Sequence, residues 1–179
     1  MNTADIAAAA NLSDKGQALV TESSGPSRFV DLLETHELFR DAIRFLSHGL
    51  PVRIAVKWGC ACSRELLPAD QIEKSQASLE AAEAWLSSPA DETRWKARDA
   101  AEKSNMSSPA DLIAMAAFFS GGSITPPETP ATAPPPYIAN KLAAGGIELA
   151  VLSQTPAKAA ERFRRTLQLS REIVKKERQ

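Results

Sequence analysis

Apolar residues recur along most of this chain at the spacing of amphipathic helices. The pattern is most continuous over residues 51–66, where apolar side chains cover most of the helical wheel. The only basic residues of that segment, Arg53, Lys57 and Arg64, share one narrow stripe. A helix that is apolar on nearly all sides is typically buried, with its few charges facing out through one gap. The pattern therefore predicts that this segment is the central helix of an all-α domain.

Proline marks where several helices are expected to begin. It is favoured in the first helical turn, because an N–H there has no intrahelical partner. The near-identical segments Ser88–Asp91 and Ser108–Asp111 each combine a serine cap, a first-turn proline and an acid two residues later. We predict an all-α, single-domain bundle of about seven or eight helices, in an order compatible with stacked helical hairpins. The expected helices span 37–48, 51–66, 68–87, 89–104, 109–120, 136–154 and 156–177.

Two segments fall outside this helical pattern. Residues 1–26 are weakly patterned and are expected to form a flexible or loosely docked lead-in to a helical domain at 27–179. The connection 123–136 contains six prolines in its last eleven residues, which favour an extended, stiff conformation. We expect a strap across the helices; alternatively, its P-x-x-P segment 127–130 is a ligand for an aromatic groove. The pair Gly145–Gly146 inside an expected helix indicates a kink or a very close neighbouring helix.

Composition and charge narrow the range of partners. Hydrophobic residues make up 44% of the 179 positions, enough for a core, and the formal net charge is -1. That charge gives no global attraction to nucleic acid or to a membrane surface. No apolar run reaches the roughly 18 residues of a membrane span. We therefore expect a cytoplasmic protein with no membrane insertion and no nucleic-acid partner.

The chain contains few residues that could perform chemistry. Cys60 and Cys62 point about 200° apart on a helix, so they can neither form a disulfide with each other nor ligate one metal ion together. None of the common nucleotide-binding, metalloprotease or hydrolase motifs is present. His36 is expected in solvent, and His48 at a helix C-terminus, where a cation is favourable. We predict no catalytic residue, no metal and no cofactor. The expected structural core includes Phe45, Trp58, Cys60, Cys62 and Phe118.

Two features suggest binding to another protein. Trp95 lies on the opposite side of its helix from the small residues Ala97 and Ala101, and tryptophan is enriched at interface anchor points. Residues 156–179 carry eight basic and three acidic residues, so the rest of the chain is acidic. The alternatives are that Trp95 packs against a neighbouring helix and that the basic residues form a solvated face. The candidate partner-binding residues are Trp95, Arg162, Arg165, Lys175 and Lys176.

Three stretches resemble a bacterial family of unknown function. They are LSHGLPVRIAVKWGCACSREL at 46–66, AAEAWLSSP at 81–89 and LIAMAAFFSGGSITPPETPATAPPP at 112–136. The family pattern runs L-P-x-R-x-A-V-x-W-x-C-x-C and later F-x-S-G-G-S-x-x-P-P. The resemblance implies a small helical accessory protein of Gram-negative bacteria, with some members encoded among secretion genes, including type VI clusters. It assigns no catalytic residue, and the matching positions are interpreted as core and turn.

These observations favour a non-enzymatic adaptor or chaperone. Its expected partner is another protein, such as a secretion effector or a component of the apparatus. An alternative is a regulatory module that binds a small ligand between its helices, for which a cavity near Trp58 or the pair Gly145–Gly146 would provide space. A further alternative is an enzyme of unrecognised type.

Overall fold

The computed structural model describes residues 2–179 and confirms an all-α, single-domain fold. The described part contains ten α-helices, more than the seven or eight predicted, because short helices also form before residue 36. Two single-turn 3-10 helices lie at Leu19–Glu22 and Pro156–Lys158. The α-helices are α1 (Thr3–Ala10), α2 (Asp14–Ala18), α3 (Pro26–Thr35), α4 (Phe39–Gly49), α5 (Val52–Leu66), α6 (Ala69–Ser87), α7 (Asp91–Lys103), α8 (Pro109–Phe118), α9 (Ile138–Leu152) and α10 (Ala159–Glu177).

Helix α5 lies at the centre of the bundle and contacts α4, α6, α8, α9 and α10. Trp58 is fully buried, and its Nε1–H donates to the carbonyl of Thr166 on α10 at 2.9 Å. The basic stripe faces outward, where Lys57 pairs with Glu177 at 2.5 Å. The arrangement follows from the sequence pattern, since only that stripe could remain hydrated.

Two glycines allow α8 to approach α5 and α9 closely. Ile113 of α8 lies between Gly59 of α5 and Gly146 of α9. A methyl group on Gly59 would overlap the Ile113 side chain, and one on Gly146 would lie 2.6 Å from Ile113 Cδ1. Because α9 runs unbroken through Gly145 and Gly146, there is no kink, and Gly146 is the member of the pair that the close neighbouring helix requires.

Side chains from other parts of the chain close the C-terminal ends of five helices. The last carbonyls of a helix have no intrahelical donor, so they need partners when they are buried. Here each receives a side-chain N–H at 2.6–2.8 Å, which ties one helix end to another element. The donor and acceptor pairs are Asn140 with Ser47, Gln154 with Leu66, Arg53 with Leu86, Arg94 with Phe118, and Arg162 with Val151.

The start of α7 differs from the prediction. Helix α8 begins at Pro109 with the expected capping box from Ser108, but α7 begins at Asp91, two residues after Pro89. The hydroxyl of Thr93 accepts the N–H of Ala90 at 3.2 Å and so takes the capping role. The corresponding position of α8 is Ile113, whose side chain cannot accept a hydrogen bond, so the capping box of Ser108 and Asp111 has no competitor there.

The N-terminal segment packs on α4. Ile6 and Ala7 of α1 are buried, and Ser13 donates from its N–H and its hydroxyl to the Asp41 carboxylate at 3.0 and 2.5 Å. Gly16 lies so close to this carboxylate that a Cβ there would be 2.5 Å from an oxygen. The described residues of this segment therefore form short helices that contact the rest of the domain. The sequence had predicted a flexible or loosely docked lead-in instead. The carboxylate that Ser13 contacts lies 28 residues further along the chain, so a local sequence pattern does not show this contact.

The proline-rich connection folds back on itself. Ile124 N–H donates to Thr132 O at 2.9 Å, and the Ser123 hydroxyl accepts the Thr132 N–H at 3.1 Å. Residues 123–132 therefore form a closed loop rather than the expected extended conformation, because backbone and hydroxyl hydrogen bonds join its two ends. Residues 126–133 are exposed, and their role as a ligand for an aromatic groove stays a prediction. Over residues 2–179, no helix combines the length and apolar content needed to cross a bilayer.

Candidate functional site

An open groove of about 630 Å³ lies between α1, α3, α4 and the C-terminal end of α10. Its floor is apolar and its α10 edge is basic, and we call it the basic groove. A volume of this size lies in the range of protein ligand sites. The floor consists of Ile6, Val30, Phe45, Leu46, Leu50 and Val174, and the edge consists of Arg171, Lys175 and Arg178.

The helical periodicity of α10 places its last basic residues along one edge of the groove. Arg171, Lys175 and Arg178 are four and three residues apart, so they project from one side of α10 in successive turns. Phe45 is held below them by an edge-to-face contact with Phe29, with ring centroids 4.7 Å apart. The edge is therefore a row of cations above a fixed apolar floor.

The basic edge is only partly neutralised within the molecule. Arg171 donates to Glu34 at 2.6 Å and to Asp31 at 3.3 Å. Lys175 and Arg178 form no ion pair with any residue in the range 2–179. The groove thus presents two cations, Lys175 and Arg178, that have no ion pair in the described part of the chain, beside apolar surface, while the lining carboxylate of Asp31 is paired with Arg171.

The other predicted basic residues have different environments. Arg162 is buried, and its guanidinium donates to Val151 O at 2.7 Å and to Thr155 O at 2.8 Å. It therefore closes the end of α9 and cannot reach a partner, which corrects its assignment as a partner-binding residue. The sequence pattern could not show this, since a basic residue on a helix surface and one capping a neighbouring helix look alike.

Arg165 and Lys176 also lie away from the groove lining. Arg165 is paired with Glu65 at 2.9 Å and with Glu172 at 3.0 Å, and these hydrogen bonds raise the pKa of its guanidinium. Lys176 is exposed next to Lys175 but does not line the groove. Of the four basic residues selected from the sequence, Lys175 is the one on the groove edge.

Trp95 lies on α7 and packs against α8. Its ring meets Phe118 edge to face with centroids 5.0 Å apart, and the guanidinium of Arg98 lies 5.1 Å from the indole centroid. The side chain is half-buried, and it does not line the basic groove. The structure therefore does not bring together Trp95 and the C-terminal basic residues.

The residues expected in the core are buried. Phe45, Trp58, Cys60, Cys62 and Phe118 are each at most 4% exposed. Burial raises the pKa of Cys60 to about 12 and also raises the pKa of Cys62, so both thiols stay protonated at neutral pH. Protonated thiols are poor nucleophiles and poor metal ligands. Trp58 is fully buried among packed core side chains and lines neither the basic groove nor three other grooves on the surface.

Together these features define an all-α single-domain protein with an apolar groove bordered by cations. The chain belongs to a family described as a family of unknown function (DUF6931), whose model matches residues 29–174. The predicted resemblance to a family of unknown function is thereby confirmed. No curated protein and no solved structure matches the chain. The match includes Val30, Phe45 and Val174 of the groove floor, whereas Lys175 and Arg178 lie directly beyond it.

Sequence reasoning did not identify most of the groove. Arg171 and Arg178 share the helical stripe of Lys175 and flank Val174, which was an available signal. Apart from Val174, the floor comes from α1, α3, α4 and Leu50, which lie more than 100 positions away along the chain, and no local pattern joins those residues to α10. Among residues 2–179, no group of three or more His, Cys, Asp or Glu side chains is placed to hold a metal ion.

Proposed function

We propose that this protein is a non-enzymatic adaptor or chaperone that binds an acidic amphipathic helix of another protein in the basic groove. The observation that carries the proposal is the pair of cations, Lys175 and Arg178, that form no ion pair among the described residues and lie beside an apolar floor. A partner helix would lay its apolar side chains on Leu46, Leu50 and Val174, as in other helix-in-groove complexes.

The charges and the floor would contribute differently to binding. Exposed ion pairs each contribute about 0.2–1 kcal/mol, so the two cations alone would give weak binding. Apolar contact with the floor would supply most of the affinity. The cations would raise the association rate of acidic segments and oppose basic ones, and so set the choice of partner.

We place this proposed activity in the cytoplasm, with a secretion effector or an apparatus component, including those of type VI systems, as the partner. The secretion partner rests on the family resemblance, and the cytoplasmic location rests on the sequence composition. A catalytic role is not part of the proposal, because the two thiols are buried and protonated. Nucleic acid is not the proposed partner, because three of the six basic residues of α10, namely Arg164, Arg165 and Arg171, are paired with acids from other parts of the chain, and the formal net charge of the whole chain is -1.

Charge reversal on the groove edge tests the proposal directly. A helical peptide with apolar residues at positions i, i+3, i+4 and i+7 and glutamates on its flanks is titrated into the full chain by fluorescence anisotropy. Wild type should bind this peptide at least about tenfold more tightly than a copy with lysines on its flanks. Lys175→Glu/Arg178→Glu should remove that preference, whereas Lys176→Glu, next to the edge but outside the groove, should keep it.

The same three proteins are then used to purify partners from the native host, with quantitative mass spectrometry. A partner that is retained by Lys176→Glu and lost from Lys175→Glu/Arg178→Glu supports the adaptor function. Equal recovery by all three proteins, together with no peptide preference, would refute it.

A further inference from the structure

A second groove, between α1, α4 and α9, has chemical features that suggest a small ligand. It has a volume of about 700 Å³, and we call it the α9 groove. Arg44 and His48 of α4 and Lys141, Leu149 and Leu152 of α9 are among its lining residues. It shares no residue with the basic groove, so its role can be tested separately.

The α9 groove has an excess of positive charge. Glu148 is buried and accepts hydrogen bonds from Arg40 at 2.7 Å and from Arg44 at 2.8 Å. Lys141 is exposed and forms no ion pair with another residue in 2–179. Three cations therefore face one carboxylate. Two copies of this face would repel each other, so the charge favours an anionic ligand over self-association.

His48 provides a hydrogen-bond acceptor without a partner. The residue is 5% exposed, and its Nδ1 lies 2.8 Å from the carbonyl oxygen of Arg44. A carbonyl only accepts, so Nδ1 carries the proton and Nε2 has the free lone pair. This buried Nε2 has no hydrogen-bond partner within residues 2–179. Five buried side-chain atoms of residues 2–179 lack a partner, and His48 is the one of those residues that lines a groove described here, which points to a missing donor at Nε2.

Two leucines complete the site. Leu149 and Leu152 remain 49% and 47% exposed, although they are three residues apart on α9 and lie beside the cations. Large apolar side chains this exposed, next to a charged groove, form a surface suited to an alkyl chain.

We propose that the α9 groove binds a small amphiphilic carboxylate that carries an N–H or O–H donor close to its charged group. The carboxylate would lie at Arg44 and Lys141, the donor would reach His48 Nε2, and the alkyl chain would lie on Leu149 and Leu152. This site goes beyond the proposed adaptor function and does not depend on it.

N-decanoylglycine is a suitable probe, because it combines a carboxylate, one amide N–H and an alkyl chain. It is titrated calorimetrically into the full chain below its micelle concentration, alongside decanoate, which lacks the donor, and N-decanoylglycinamide, which lacks the charge. We expect one site, with N-decanoylglycine binding about tenfold more tightly than either comparison compound. Lys141→Gln and Leu149→Ser should each weaken binding about fivefold or more, and Lys175→Gln, in the basic groove, should have no effect.

A nitrogen chemical shift gives an independent measure of the contact with His48. The chain contains two histidines, and His36 is exposed, so His36→Gln leaves one imidazole to observe. Binding of N-decanoylglycine should move the Nε2 resonance as it accepts a hydrogen bond, while decanoate should leave it nearly unchanged. The proposal is overturned if no probe binds, if decanoate binds as tightly with no Nε2 shift, or if Lys175→Gln weakens binding as much as Lys141→Gln.

Discussion

Two adjacent glycines on α9 should respond in opposite ways to the same substitution. A Cβ at Gly145 would be 3.5 Å from Leu112 Cδ1, an ordinary contact. A Cβ at Gly146 would be 2.6 Å from Ile113 Cδ1 and 2.8 Å from the backbone oxygen of Pro109. The backbone atom belongs to the first residue of α8, so the clash cannot be relieved by a side-chain rotation alone.

The expected magnitudes follow from two opposing effects. Alanine is favoured over glycine in a helix interior by about 1 kcal/mol, so Gly145→Ala should stabilise the protein by about 0.5–1 kcal/mol. Gly146→Ala gains the same helix preference but introduces overpacking of about 1–3 kcal/mol. Because one contact is with backbone, we expect the upper part of that range and a net loss of about 1–2 kcal/mol. The two variants should therefore differ by about 2–3 kcal/mol.

Urea unfolding followed by helical circular dichroism measures this difference. A third variant, Ile113→Val, removes the Cδ1 atom that would meet the new methyl group. In that background the cost of Gly146→Ala should fall by about 0.5–1 kcal/mol, a coupling that a double-mutant cycle detects. If Gly146→Ala were as stable as Gly145→Ala, α8 and α9 would not be packed as closely as described here, and the explanation of the glycine pair would be wrong.

Three further predictions concern other parts of the domain. Trp58→Ala should lower the free energy of unfolding by about 3–5 kcal/mol in urea, because it empties a fully buried site. A decrease of less than about 1 kcal/mol would contradict the position of α5 at the centre of the bundle. Asp41→Asn should loosen the N-terminal segment, because Ser13 then loses a charged acceptor. Limited proteolysis should therefore cleave the variant before residue 26 faster than wild type. An unchanged cleavage rate would mean that apolar contacts alone hold this segment on the domain. Burial lowers the pKa of His48 below its usual value of 6.5, so the unfolded chain takes up the proton first. Stability from this group should be fully present above about pH 6.5 and decrease as the pH falls below it, whereas a folded-state pKa above 6.5 in an NMR titration would reverse that sign.

Local patterns were sufficient for most of the helices after residue 36 and for the centre of the bundle. The helical spacing of apolar residues identified α5 and the outward stripe of Lys57, because burial acts on each turn of a helix separately. The start of α8 followed from its capping box. The similar sequence before α7 gave the wrong start, since the hydroxyl of Thr93, outside the matching segment, took the cap.

The tertiary structure decided which polar residues are structural and which are available to bind. Arg162 and Lys175 both belong to the basic C-terminal helix, yet one closes the end of α9 inside the protein and the other stands on the edge of a groove. Asp41 and His48 likewise acquire their roles from groups on other segments or from burial. Sequence spacing specifies the face of a helix on which a residue lies, but the partner opposite that face comes from residues far away in the chain. For that reason the helices could be predicted from the sequence, whereas both grooves appeared only in the folded structure.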